Sequence, residues 1–409
     1  GVRRYLEPDG CFGAILPSTV AQGHHQNRFR SGGYSTAPRS VNLDIDEIWG
    51  VERGVFRNEA VVLFGAKQPR QVRVELPGRD VGETAEASKI FHVATARYPG
   101  KADRVAWSSG DHTHAGFGYE PAPFRQGADL MPRTIWFHDF RDFGPDRVEV
   151  QPITKGEADG YLIADAKRNQ TFRMPSGLVL ERAFTTRAAL SHHLTPFHLA
   201  HPAQMLLPGR FEHGAWRGLK MDEIVLASSG AQQAFEAAAT ELSKTPETLF
   251  GIVDLMGKLR RQSWSPSAYL VVSGAGGANP CAAWTEPGVL VPGEVVFDQT
   301  LYWAEVNSRD EAAYLVGAVN SPSCAEIIAP FQPKGDQGKR HIHKLPFGVT
   351  PPYDPSDPAH TELAAATLRL HEAFGAALTD DAIALAARRP GKGTLAGRRK
   401  RLSKVLQSL

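Results

Sequence analysis

The stretch from Phe297 to Phe347 constrains the fold more tightly than any other part of the chain. FDQTLYWAEV is a strand-length run of apolar and aromatic residues. EAAYLVGAVN follows it with Ala312, Tyr314, Leu315 and Val319 at helical spacing. Proline cannot continue a helix, so Asn320-Ser321-Pro322 marks the end of this one. A second apolar turn comes next, then a loop dense in glycine and cations that ends at Lys344. An apolar support carrying Lys334, Lys339, Arg340, His341, His343 and Lys344 offers its cations to phosphates.

A chain of 409 residues can hold two or three domains and a sizeable core. It has no run of eighteen apolar residues, so no transmembrane helix is expected. The start, GVRRYLEPDG, lacks the apolar region of a secretory signal. Cys11, Cys281 and Cys324 are isolated and odd in number, which points to a reduced, cytoplasmic setting and away from a disulfide frame or a paired-cysteine zinc site. The net charge of +2 is too small to name a polyanionic partner, but its distribution is uneven. From Arg388 onward there is no acid, while Arg388, Arg389, Lys392, Arg398, Arg399, Lys400, Arg401 and Lys404 are basic. Such a tail suits nucleic acid, and a solvated terminus accounts for it equally well.

Along the chain, Cys11 to Leu16 is a short apolar strand stopped by Pro17, and Ala21 to Arg30 has a helical pattern. Two further strand candidates lie at Glu47–Glu52 and Glu59–Lys67. Strand, helix, strand and a close antiparallel pair describe the second half of a Rossmann-like sheet. Pro77 to about Arg104 is polar and reads as a connector with one short helix; from Ala106 short strands and loops take over. Within Phe124 to Phe137, Gly127 and Pro132 imply a tight turn that brings Gln126 and Arg133 together ahead of a strand. Glutamine reads adenine and arginine reads guanine through paired hydrogen bonds, so the two could serve base readout; a plain surface turn needs the same glycine and proline. Gln232 to Gln262 reads as helices, one starting at Thr245-Pro246-Glu247, with Lys258-Leu-Arg-Arg-Gln262 facing either the helix dipole or a phosphate. Strands at Ala268–Ser273 and Val295–Trp303 bracket a glycine-rich loop, and His360 to Arg389 holds two amphipathic helices broken near Leu378.

The ordered run Ala-Tyr-Leu, Asn-Ser-Pro, Gln-Pro-Lys-Gly and Arg-His-Ile-His-Lys resembles the C-terminal target-recognition region of large γ-class DNA adenine-N6 methyltransferases, which serve restriction-modification and phage-defence systems. YLEPDGCFGAILPSTV resembles the strand after that family's catalytic motif, and FRQGADLMPR its Gln-Gly-Ala-Thr…Pro-Arg element. GVFRNEAVVLFGAK resembles its last hairpin, whose phenylalanine packs against the flipped adenine. Phe56 stands at that position, where an ordinary hairpin aromatic would look the same.

The resemblance implies a partial α/β Rossmann-like methyltransferase sheet, followed by a mixed α+β target-recognition domain and a helical, basic C-terminal tail. Residues 1–76 would be the C-terminal half of the catalytic domain, 77–105 a connector, 106–356 the recognition domain and 357–409 the tail. It implies double-stranded DNA as partner and S-adenosylmethionine as cofactor. Phe56 would stack on the target base. DNA would be met by Gln126, Arg133, Lys334, Lys339, Arg340, His341, His343, Lys344, Arg398, Arg399, Lys400 and Arg401. Between Phe140 and Gln262 the resemblance is thin, so no recognised sequence follows from it.

Two strings imitate the family's cofactor signatures. Gly274-Ala-Gly-Gly-Ala278 follows a strand, but Asn279-Pro280 interrupts before a helix can open. Thr350-Pro-Pro-Tyr353 has threonine where an amide or acid must accept from the adenine amino group. The cofactor motifs are therefore expected upstream of Gly1 or on another chain, and this chain is expected to be inactive alone. His192, His193, His198 and His201 crowd one segment without a nearby cysteine or acid, and His341 and His343 are flanked by cations, so neither set suits a metal. The alternative reading is a non-catalytic DNA specificity subunit docking to a separate catalytic chain. A third is a regulator that binds neither cofactor nor specific DNA.

Overall fold

The computed structural model describes residues 6–32, 41–51, 55–56, 59–82, 86–96, 103–108, 118–119, 124–151, 174–191, 193–200, 202–227, 229–277, 279–332, 334–335, 338–339 and 342–377. The chain forms two compact units that do not follow one another in sequence. The first comprises Gly1–Pro121, Gly276–Pro280 and Ala318–Pro352; the second comprises Ala122–Ala275, Cys281–Gly317 and Tyr353–Leu409. No helix among the described residues is long and apolar enough to cross a membrane.

The first unit is built on a six-stranded sheet of β1 (Cys11–Pro17), β2 (Asp44–Val51), β3 (Ala60–Ala66), β4 (Glu75–Val81), β5 (Glu86–Ala96) and β6 (Arg104–Ser108), in the order β1-β3-β2-β4-β5-β6. The expected strands near residues 11, 47 and 59 are present. β2 and β3 pair as an antiparallel hairpin from Asp44↔Ala66 to Val51↔Ala60. The helical pattern before β2 resolves into two single turns, Thr19–Gln22 and Asn27–Arg30. Among these strand junctions only β2–β4 is parallel, so the sheet is mainly antiparallel rather than half of a wound parallel one.

The segment read as a connector with a short helix is instead β4, β5 and the approach to β6. These strands show no single apolar period because their two faces enter different cores: Leu76, Gly78 and Phe91 share one face with the Lys89–Asp80 ion pair, while Ala94 and Ala96 point to the other. Gly78 is required where β4 meets β2, since a Cβ there would lie 1.9 Å from the Ile48 carbonyl oxygen. One core packs Ala21, Ile48, Leu63, Leu76, Phe91 and Trp107 together. A second gathers Ala94, Ala96 and Ala106 with Cys324, Ile328, Phe331, Ile342, Leu345 and Val349. The segment 318–352 is thereby tied to β5 and β6 by apolar burial, the main favourable term in folding.

In the second unit a four-stranded antiparallel sheet runs in the order Ala282–Thr285, Tyr269–Gly274, Leu301–Val306, Arg125–Gln126. Its central strands are buried nearly throughout, which is why they read as continuous apolar runs and not as alternating ones. Trp264, Phe297 and Trp303 form the aromatic centre of this core, with Trp264 and Trp303 ring centroids 5.3 Å apart. A larger core brings Trp136, Phe137, Phe184, Met205, Phe235 and Leu249 together.

The helix Arg309–Asn320 forms as expected, with Ala312, Tyr314, Leu315 and Val319 buried. It ends where Ser321 caps the next helix, Pro322–Ile328, by accepting from the Cys324 amide at 3.1 Å. Thr245 starts its own helical turn through a capping box, again as expected. Pro358–Ala377 is one continuous helix, seated by His371, whose ring lies 4.0 Å from that of Trp284.

Candidate nucleic-acid interface

In the second unit, the chain from Arg125 to Arg133 is laid directly against the loop that follows Phe297. Gly127 makes this possible: a Cβ there would sit 2.3 Å from both the Phe297 and Asp298 carbonyl oxygens. The backbones interlock through Gly127 N–H donating to Leu301 (3.0 Å), Ala128 N–H to Phe297 (2.7 Å) and Gln299 N–H to Ala128 (2.6 Å). The glycine therefore serves close backbone approach and not the tight turn expected from sequence. The chain bends at Pro132, where the Met131–Pro132 peptide is cis, and enters the short helix Arg133–Trp136 in place of the expected strand. That helical turn buries Ile135 and Trp136.

Gln126 and Arg133 are brought to adjacent residues of that loop. The Gln126 amide donates to the Gln299 carbonyl at 2.9 Å and accepts from the Lys258 ammonium at 2.9 Å. Arg133 donates to Asp298 at 3.0 Å; its side chain is 11% exposed and that of Asp298 is fully buried. Asp298 also accepts from the Thr300 N–H (2.9 Å) and hydroxyl (2.6 Å), and Gln299 donates to Asp129 at 2.8 Å. Arg133 is thus a braced cation, and Gln126 is a half-buried amide oriented from both ends.

Burial and, after it, the charge of Asp298 raise the Asp129 carboxyl above the usual carboxylate range, against the pull of Lys258 and Arg133. Burial, helped by Arg133, pushes the His193 ring down to about 3, so it is neutral, and its Nδ1 accepts from the Leu190 N–H at 3.1 Å. Sequence reasoning missed Asp129, Asp298, Gln299 and Lys258 as partners of the Gln126–Arg133 element. The available signal was Asp298-Gln299-Thr300, three polar residues breaking a strand-length apolar run.

In the first unit, Lys334 and Lys339 occupy directly paired positions of a two-stranded hairpin, Lys334–Gly335 with Gly338–Lys339. Arg340 and His341 lie outside the described residues. Ile342, Leu345 and Val349 are buried in the core beside Cys324 and Ile328, which anchors the backbone that carries His343 and Lys344. Between those anchors His343 adopts a left-handed φ of 51°, uncommon for a side chain other than glycine, and Lys344 begins the turn Leu345–Gly348; both are half-buried. Phe56 lies in the connection between β2 and β3 and is 41% exposed. Arg398, Arg399, Lys400 and Arg401, with His192 and His201, lie outside the described residues.

The two strings that imitate cofactor motifs do not fit S-adenosylmethionine. Gly274 to Gly277 joins two antiparallel strands and opens no helix, and the Gly277 carbonyl accepts from Gln332 at 3.3 Å. The Thr350 hydroxyl is buried and donates to the Pro346 carbonyl at 2.7 Å, so it is turned inward.

No family model and no curated protein matches the sequence. Among solved structures, the fold is similar to that of the Type IIL restriction-modification enzyme MmeI in complex with DNA, at a TM-score of 0.50 and 8% identity, over 97% of this chain and 46% of that one. A second similarity, at a TM-score of 0.31 and 14% identity, is to the type IIG restriction endonuclease BpuSI, over 88% of this chain and 42% of that one. The chain thus spans less than half the length of the solved structures it matches. What is shared with MmeI is the fold, a mixed α/β architecture with several sheets.

Proposed function

We propose that this chain is the DNA-recognition portion of a γ-class adenine-N6 methyltransferase of restriction-modification or phage-defence type, acting in the cytoplasm on double-stranded DNA. The observation that carries the reading is the fold likeness to MmeI across 97% of the chain, a likeness to a structure solved with DNA bound. The cation-bearing elements support it. Lys334 and Lys339 stand at directly paired backbone positions of one hairpin, a register that suits two phosphate contacts. His343 and Lys344 stand between the buried anchors Ile342 and Leu345, and the Arg398–Arg401 run would add phosphate contacts. Gln126 would read a base edge while Arg133, braced by Asp298, positions the element. Phe56 would stack on an adenine extruded from the duplex.

S-adenosylmethionine would supply the methyl group. The two strings that imitate its motifs do not fit it, and no step of the transfer is assigned to this chain.

The test is a salt titration of binding to duplex DNA with and without S-adenosylmethionine. Salt-sensitive binding that ignores the cofactor is the expected result. Binding that requires the cofactor would place a working methyl-donor site in this chain and overturn the assignment. Absence of salt-sensitive binding would remove DNA as the partner.

A further inference from the structure

The turn Leu255-Met256-Gly257 in the second unit exposes two large apolar side chains from a backbone built to hold them outward. Met256 has φ 61° and ψ 21° and is 77% exposed; Leu255 is also exposed. Left-handed backbone disfavours a long side chain, and such strain persists only where the surroundings over-determine it. The surroundings here do so. The Asp254 carboxylate, buried under the turn, accepts from the Leu259 and Arg260 N–H groups at 3.0 Å each and from the Arg260 guanidinium at 2.6 Å. Arg261 donates to the Met256 carbonyl at 2.6 Å and to that of Gly257 at 2.8 Å. Gln262 is buried and bonds both backbone groups of Phe297, at 2.8 and 2.6 Å. The tip is therefore a braced projection on a core-anchored segment.

Its charge says what it meets. Between Gly251 and Trp264 the only acid is the buried Asp254, against Lys258, Arg260 and Arg261. Arg125 adds a fourth cation, donating to the Arg261 carbonyl at 3.4 Å while its guanidinium lies 5.3 Å from the centre of the Trp303 ring. Lys258 connects the tip to the Gln126 amide. An apolar point ringed by cations is complementary to a duplex, with phosphates outside and stacked bases within.

We infer that Leu255 and Met256 form a wedge that enters a base step of double-stranded DNA while Arg125, Lys258, Arg260 and Arg261 hold the flanking phosphates. This rests on the DNA-binding reading above and adds to it the residues that open the stack. Methionine suits the task because its unbranched, polarisable side chain adapts to the irregular space between bases.

The test compares the full chain's affinity for a duplex of about 25 base pairs, long enough for several phosphate contacts, with its affinity for the same duplex carrying a central abasic site, whose step is already unstacked. The wild type should prefer the abasic duplex by about tenfold or more, since it is spared the cost of separating the bases. Met256→Asn, which suits left-handed backbone, should lose that preference while retaining the salt dependence on the intact duplex, and Leu255→Ser should lose part of it. Equal affinity of the wild type for both duplexes, or an undiminished preference in Met256→Asn, overturns the wedge and leaves DNA binding standing. Failure to bind either duplex overturns both.

Discussion

Asp298 is the residue on which the Gln126–Arg133 element depends. It is fully buried, it holds Arg133, and it caps the turn at Thr300. Replacing it by alanine leaves a mostly covered guanidinium without its counter-charge, a change that typically costs about 3–5 kcal/mol. Urea unfolding of Asp298→Ala should show a loss of that order, and a loss below about 1 kcal/mol would mean the pair is not part of the scaffold. His193 sets a pH dependence. Folding keeps its ring neutral down to about 3, whereas the unfolded chain protonates it near 6.5. Below pH 6.5 the unfolded state binds the extra proton, so the contribution is fully present above that pH and is lost as the pH falls toward 3. The slope from this one group is about 1.4 kcal/mol per pH unit at most. His193→Asn, which can offer an oxygen to the Leu190 N–H, should flatten stability measured between pH 4 and 6; an unchanged slope would assign the acid sensitivity to other groups.

At the scale of elements, the junction of the Arg125–Arg133 segment with the loop after Phe297 is made by backbone, not by side-chain bulk. Gly127→Ala would drive a methyl group into two carbonyl oxygens of a buried loop, with no flexible side chain to give way. The segments would have to part. We expect a loss of about 3 kcal/mol or more, seen as a lower thermal midpoint together with loss of any sequence preference in DNA binding. A folded variant of unchanged midpoint would show that the two backbones can separate freely. The glycine itself stands out in the sequence, but its reason does not. A tight turn and a close approach both call for glycine, and only the Asp298 backbone, far along the chain, distinguishes them.

At the scale of the whole molecule, the proposed DNA contacts have a common signature in salt. Each phosphate contact releases condensed counterions, so Lys344→Ala should lower the slope of log affinity against log salt by about one unit while the chain stays folded. An unchanged slope would take Lys344 out of the phosphate-binding set and leave its role to the turn it begins. Much of the architecture that carries these residues was legible from local pattern. The strands near residues 11, 47 and 59, the helix Arg309–Asn320 with its stop at Asn320-Ser321-Pro322, and the helix start at Thr245 all follow from periodicity and capping chemistry within a few residues. The strands β4 and β5 were not legible, since their two faces enter different cores and a sheet partner, not hydrophobic contrast, makes them strands.

Sequence alone determined which short segments are strand, helix or cap, and where the cations gather, because those properties are set by neighbours within one or two turns. Only the tertiary structure decided that 318–352 belongs with the first unit and that Arg133 answers to Asp298, 165 residues away, and Gln126 to Gln299, 173 residues away. Such pairings arise when separate apolar faces are buried together, and the polar residues carried along then find their partners in space.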